Sequence, residues 1–174
     1  IRQAPGILIG PSLGGAAFLA AAEQVPEAKA VVTIAAPSDP AHVTDMFAEH
    51  VDAIREKGEV EVRLAGRPFN IRREFLDDIA EHNLMAKVTR LHKALLIMHA
   101  PTDDTVGIDN ATKICVAAKQ PKSFVSLAGA DHLLTQKHDA IYVADVIAAW
   151  AGRYLDAVTV TPVASLPEEP RKVV

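Results

Sequence analysis

The 174-residue chain has a single cysteine, Cys115, a single tryptophan and an aromatic content of only 5%. One thiol cannot close an internal disulfide, so the fold must rest on burial alone and the chain fits a reducing, cytoplasmic setting. Cys115 lies in an apolar run of helical character, where a packed thiol is expected. Positive charge is scarce as well: 18 Lys and Arg against 22 Asp and Glu give a net charge of −4 and a pI of about 6.0. With basic residues scattered and aromatics few, there is no footprint for nucleic acid. Long apolar runs are also missing. The stretch from Ile7 to Ala22 behind Arg2 is interrupted by Pro11, Gly14 and Gly15 and falls short of the roughly 20 residues that span a bilayer, so neither a membrane span nor a signal peptide is expected. What remains is 49% hydrophobic residues in 18.6 kDa, which suits one domain with a real core and a small-molecule partner.

The apolar residues arrive in short blocks. Ile7 to Gly10, Ala30 to Ala35, Ala94 to His99 and Ser123 to Leu127 are too continuous for half-exposed strands and read as strands of a parallel sheet. Helical patterns alternate with them: Gly14 to about Gln24, Ile108 to Lys119, and Ala140 to Leu155, the last with a stripe of Ala140, Val143, Ile147, Trp150 and Tyr154 widened by Ala144, Ala148 and Ala151. The expected class is α/β, a parallel sheet core flanked by helices. Between the second and third strands, at about 38–93, lies a more charged insertion. Ala41 to Lys57 reads as one helix with Val43, Phe47, Val51 and Ile54 on a stripe and Gly58 at its end. Val60, Val62 and Leu64, then Gly66-Arg67-Pro68, Phe69 and Ile71, read as a solvent-facing hairpin. Arg73 to Ile79 and Leu84 to Leu91 read as short helices. The domain is expected to occupy 1–157, with 158–174 as a Pro-rich tail or linker carrying Pro162, Pro167 and Pro170.

The first strand breaks at Gly10-Pro11-Ser12-Leu13-Gly14, a Gly-x-Ser-x-Gly turn between strand and helix. At such a turn the serine takes a strained backbone, and its neighbours two before and two after, Gly10 and Gly14, must be almost without side chains. The strain lifts the hydroxyl clear of the sheet and makes Ser12 the candidate nucleophile. The next helix aims its N-terminus at the reacting centre, with the N–H of Leu13 as an oxyanion donor. A serine hydroxyl needs a base and the base a carboxylate. Both stand at strand ends: Asp103-Asp104 after the third strand and Asp131-His132 after the fourth. Parallel strands present their C-terminal loops at one edge, so these groups are expected to converge there.

The turn at Gly10 to Gly15, the segment His99-Ala100-Pro101-Thr102-Asp103-Asp104-Thr105-Val106 and the segment Gly129-Ala130-Asp131-His132 together resemble the α/β-hydrolase superfamily, up to about Leu155. Their Ser, Asp, His order is the family's. By similarity to its His-Gly-x-x-Asp-x-x-Val pattern, the resemblance implies Asp103 as the triad acid, with Val106 in register and Asp104 as a neighbour that hydrogen-bonds within the loop; His132 matches the general base. The insertion is then a helix-and-hairpin cap over the pocket, or else a peripheral layer covering the sheet; in a cap, Met46, Phe47, Phe69 and Phe75 are the expected walls of a substrate pocket. A narrower likeness is to the hydrolase part of bacterial fusion proteins that carry an OsmC-like redox domain, in which the Pro-rich tail would open the linker. The family usually has His where Pro11 stands, and several strands before the turn, where this chain has only Ile1 to Gly6. A loop after one of those strands normally completes the oxyanion hole. Loss of that donor is expected to cost about 10²–10³ in turnover, and an uncovered sheet with one open edge and two apolar faces favours self-association.

His42, His50, His82, His92, His99 and His138 show no metal-ligand spacing and read as solvated or packed side chains. Asp103-Asp104 lacks further carboxylates for a divalent cation. The glycine turn lacks the lysine of a P-loop and the spacing of a dinucleotide site. No metal and no cofactor are therefore expected. Two functional expectations follow. One is a serine hydrolase, a carboxylesterase cleaving small acyl esters through Ser12, His132 and Asp103. The other is a non-catalytic fragment or assembly module with an incomplete oxyanion hole.

Overall fold

The computed structural model describes residues 4–64, 67–81 and 83–155. The Pro-rich segment 158–174 lies outside the described residues. Strand β1 (Ile7–Pro11) leads into helix α1 (Leu13–Ala21), and a short 3-10 turn, Ala22–Gln24, precedes β2 (Ala30–Ile34). The insertion follows as a 3-10 stretch (Pro40–His50), α2 (Val51–Lys57), β3 (Glu59–Leu64), β4 (Arg67–Arg72), α3 (Arg73–Glu81) and α4 (Leu84–Thr89). The chain then returns as β5 (Ala94–His99), α5 (Asp109–Ala117), β6 (Lys122–Ser126) and α6 (Lys137–Ala151).

The main sheet is parallel throughout, in the order β1-β2-β5-β6. Every residue of β2 and β5 is buried, as the continuous apolar blocks imply, because helices cover both faces there. Alternation sorts the side chains. Leu8, Val31, Leu95 and Ile97 pack with Ala16 and Leu19 of α1, Leu84 and Val88 of α4 and Ile114 of α5. Val32, Ile34, Leu96 and Met98 pack with Val143 and Ile147 of α6. Cys115 is half-buried against the first of these clusters.

Three expectations need correcting. The expected helix over 41–57 is broken: the segment up to His50 is 3-10 and Phe47 leaves helical geometry at φ −140°, ψ 32°. Thr44 and Asp45 are residue types of low helix propensity, and the break seats Phe47 in the core of the insertion beside Ile54, Val62, Ile71 and Leu76. The hairpin of β3 and β4 is therefore solvent-facing on one side only, with Val62 and Ile71 on its inner face. On α6 the buried stripe is Val143, Ile147 and Ala151; Ala140, Ala144 and Ala148 face solvent, because α6 buries one narrow stripe, against the cluster that holds Val32, Ile34, Leu96 and Met98. Apolar exposure falls at both margins of the sheet: Ile9 of β1, in register with Val32, points to the α6 side and is 42% exposed, and Phe124 of β6 is 46% exposed.

The turn after β1 is the tightest place in the fold. A Cβ on Gly10 would sit 2.4 Å from the Gly14 backbone, and one on Gly15 would sit 2.7 Å from the Gly10 carbonyl and 2.8 Å from Ala36 Cβ. Gly14, expected to be essential, is not: a Cβ there would meet only Pro11 Cδ at 3.7 Å. The helix approaches the strand along the Gly10 and Gly15 side, so the steric demand falls on that pair. Gly14→Ala should hold or raise the melting temperature, adding up to about 1 kcal/mol through lost chain entropy. Gly10→Ala and Gly15→Ala should each cost about 3 kcal/mol or more, since backbone must move. Thermal and urea melts of the three variants check this.

Candidate active site

All four strands of the main sheet run the same way, so the segments after β1, β2, β5 and β6 share its C-terminal edge. Of the four described non-glycine residues with positive φ, three lie in those segments: Ser12 (48°), Ala35 (52°) and Leu134 (52°). Each such residue stores of order 1–3 kcal/mol of strain, and strain of this kind concentrates at working sites.

Ser12 occupies the N-cap of α1 at φ 48°, ψ −128°, yet its side chain makes no capping bond. A serine in that place ordinarily accepts from the first turn of its helix. The strained backbone turns the hydroxyl away, and its oxygen lies 3.1 Å from His132 Nε2. The Ser12 N–H continues the ladder to the Ile34 carbonyl at 2.7 Å, so Pro11, which has no N–H to give, sits at the end of an edge strand where that loss is tolerated. No acidic side chain occupies the first turn of α1. Leu13 is the first helical residue, and its N–H belongs to the donors that an α-helix leaves unpaired.

His132 Nδ1 lies 2.8 Å from Asp103 Oδ2. The other carboxylate oxygen, Oδ1, accepts the N–H groups of Thr105 and Val106, both at 2.9 Å. Burial opposes ionisation of Asp103, but the Val106 N–H, the His132 hydrogen bond, the Thr105 N–H and the His132 charge outweigh it and hold the carboxyl below its ordinary range. An ionised Asp103 accepts from Nδ1–H, which leaves Nε2 bare to accept the Ser12 hydroxyl proton. The structure thus brings Ser12, His132 and Asp103 into one hydrogen-bonded chain. Asp104 takes a different part: exposed, it accepts the Thr105 hydroxyl at 3.3 Å.

Among the sequence candidates read as packed, His99 has more to it than packing. It is fully buried, its Nε2 donates to the Val106 carbonyl at 2.6 Å, and the same nitrogen lies 3.6 Å from Asp103 Oδ2. The acid loop is therefore held at Val106 from two sides, its N–H by the Asp103 carboxylate and its carbonyl by an imidazole at the end of β5. Asn110 adds a tie that the sequence did not signal: its Oδ1 accepts both the N–H and the hydroxyl of Ser38 at 2.9 Å, joining the start of the insertion to the acid-loop side. Among the described residues no three His, Cys, Asp or Glu side chains gather into a metal-binding group, and no helix is long and apolar enough to cross a membrane.

The pocket walls expected from sequence fare unevenly. A cavity of about 520 Å³ begins at Leu13 and Gly14 and follows α1 past Ala17 and Ala20, with Phe75 and Lys87 on its other side. Phe75 thus lines a cavity that begins beside Ser12. Phe47 does not, being 2% exposed inside the core of the insertion; Phe69 is paired with Val62 on the inner face of the hairpin, yet it is 46% exposed and lines no part of this cavity. Met46 has its side chain outside the described residues.

The lowered titration of Asp103 fixes a sign. A carboxyl with a depressed folded-state pKa contributes stability that is complete above its unfolded value, about 3.9, and is lost as pH falls through the folded one. Asp103→Asn should therefore be less stable than the parent at pH 7, and the gap should close as pH falls below about 4. Urea melts of both proteins across that range measure it.

No protein-family model matches this sequence, and no curated protein does. Solved structures do. An esterase domain from a Rhodothermus marinus protein is 47% identical, with a TM-score of 0.73, over 86% of this chain and 62% of its own. Mouse alpha/beta hydrolase domain-containing protein 10 is 22% identical, with a TM-score of 0.64, over 88% and 64%. Est1E from Butyrivibrio proteoclasticus is 18% identical, with a TM-score of 0.58, over 83% and 60%. The chain spans about three fifths of the length of each of these neighbours. With 47% identity to an esterase domain over 86% of its length, and with a parallel sheet flanked by helices that superposes on alpha/beta hydrolase structures, this chain has the α/β-hydrolase fold.

Proposed function

We propose that the chain is a serine hydrolase, a carboxylesterase acting on small acyl esters. The observation that carries this reading is the continuous hydrogen-bonded path from the Ser12 hydroxyl through His132 to a buried, ionised Asp103. In the reaction, Ser12 Oγ attacks the ester carbonyl while His132 Nε2 takes its proton. Asp103 holds the imidazole in the needed tautomer and stabilises the imidazolium. The oxygen that gains charge lies at the N-terminus of α1, where the Leu13 N–H supplies one donor. His132 then protonates the departing alcohol, and water, activated by the same imidazole, releases the acyl group. The cavity that starts at Leu13 offers apolar walls for the acyl part, Phe75 among them.

Incubation with a fluorophosphonate probe tests the nucleophile: the parent should be labelled and Ser12→Ala should not. With p-nitrophenyl acetate, His132→Ala should lose at least about 10³ in kcat and Asp103→Asn about 10⁴. Equal labelling of the parent and Ser12→Ala would reject the reading. A second reading, an assembly module, is favoured by the Ile9 side chain at an edge strand with no further partner among the described residues. It expects a dimer or larger species in sedimentation, reduced by Ile9→Lys, and no probe labelling.

A further inference from the structure

His132 sits in a loop that packing does little to hold. Asp131, Leu133, Thr135 and Gln136 are all exposed, Leu133 by 53%, and Leu134 alone leans against the α6-side core. Yet the imidazole is nearly covered, with 8% of the side chain accessible, and meets both Ser12 and Asp103. The order has a visible source in one carboxylate. Asp131 Oδ1 accepts the Leu133 N–H at 2.9 Å and the Thr135 N–H at 3.1 Å, while Oδ2 accepts the Thr135 hydroxyl. The Asp131 carbonyl takes the Leu134 N–H at 3.2 Å. Within this ring of bonds Leu134 is forced to φ 52°, a conformation that costs a leucine about 1–2 kcal/mol and does not persist unless the surroundings impose it.

We propose that Asp131 is a positioning residue for His132: its carboxylate holds the 131–135 loop, left-handed Leu134 included, in the one conformation that keeps the imidazole between Ser12 and Asp103. This rests on the hydrolase reading for its catalytic consequence, though not for its structural content. The Thr135 hydroxyl and N–H, working against slight burial and joined by the N–H groups of Leu133 and Leu134, hold the Asp131 carboxyl below its ordinary range, so the clamp stays charged wherever the site would operate.

The test uses three variants of the full chain. Asp131→Ala removes the acceptor, Thr135→Val removes the hydroxyl while leaving the charge next to His132 in place, and Thr135→Ser keeps the hydroxyl. The first readout is the imidazole Nδ1–H proton in NMR, which a hydrogen bond to Asp103 shields from exchange and moves far downfield. It should be present in the parent and in Thr135→Ser, and broadened or absent in Asp131→Ala and Thr135→Val. The second readout is hydrolysis of p-nitrophenyl acetate. The two disabling variants should lose about 10- to 100-fold in kcat, the scale of a misplaced catalytic group, with KM within about twofold. An unaltered Nδ1–H signal in Asp131→Ala and Thr135→Val overturns the proposal, as does a lowered melting temperature with unchanged kcat. A parent that takes no fluorophosphonate defeats the hydrolase reading instead, and the Nδ1–H signal then decides the role of Asp131 by itself.

Discussion

The close approach of α1 to the end of β1 governs the rest of the structure. Gly10 and Gly15 meet with no room for a methyl group, and that contact is possible only if the chain reverses within one residue. Ser12 takes up the reversal with a backbone that serine avoids. Because the backbone is strained there, the hydroxyl points outward and the first N–H groups of the helix stay open. Relaxing the turn would let the serine cap its own helix, as serines in that place ordinarily do, and the path to His132 would be lost. The strain is maintained by the most deeply covered part of the molecule, β2 and β5, whose side chains are buried on both faces.

Charge in the site is handled by the same economy of local geometry. Asp103 is buried, which by itself disfavours its ionised form, and the protein answers with two backbone N–H groups from its own loop and one imidazole. Short loops do this work on both partners of the pair. Asp103 folds the residues after it around Oδ1, and Asp131 folds the residues after it around its own carboxylate. His99 then pins the far end of the acid loop by its bond to the Val106 carbonyl.

Much of this was legible in the chain. Continuous apolar blocks identified β2 and β5, which are buried on both faces; β1 and β6 were found by the same signal, but as margin strands they are only partly covered, against the expectation of burial throughout. Ser12, Asp103 and His132 were found because each follows such a strand, and parallel pairing forces those ends together. Sequence spacing was weaker wherever tertiary packing decides the outcome. The break at Phe47 turns a helical stripe into two pieces, and only the core of the insertion shows why. Gly14 matched the motif although Gly15 makes the contact, since a pattern records spacing and not which face of the helix meets the strand. Phe47 and Phe69 were aromatic residues in the right segment, yet the break before α2 seats Phe47 in the core of the insertion, and Phe69, on the same hairpin face as Val62, is left half exposed. The Asp131 clamp had a signal, an Asp followed by a Thr at the fourth position, but such pairs are common in loops and carry meaning only beside an imidazole that must be aimed.

The insertion has a private core. Phe47, Ile54, Val62, Ile71 and Leu76 pack on one another and belong to neither cluster of the main sheet, while Phe75, on the rim, also walls the cavity. That lobe is packed as a unit of its own. A lineage built on this scaffold is therefore free to vary it at a different pace from the sheet.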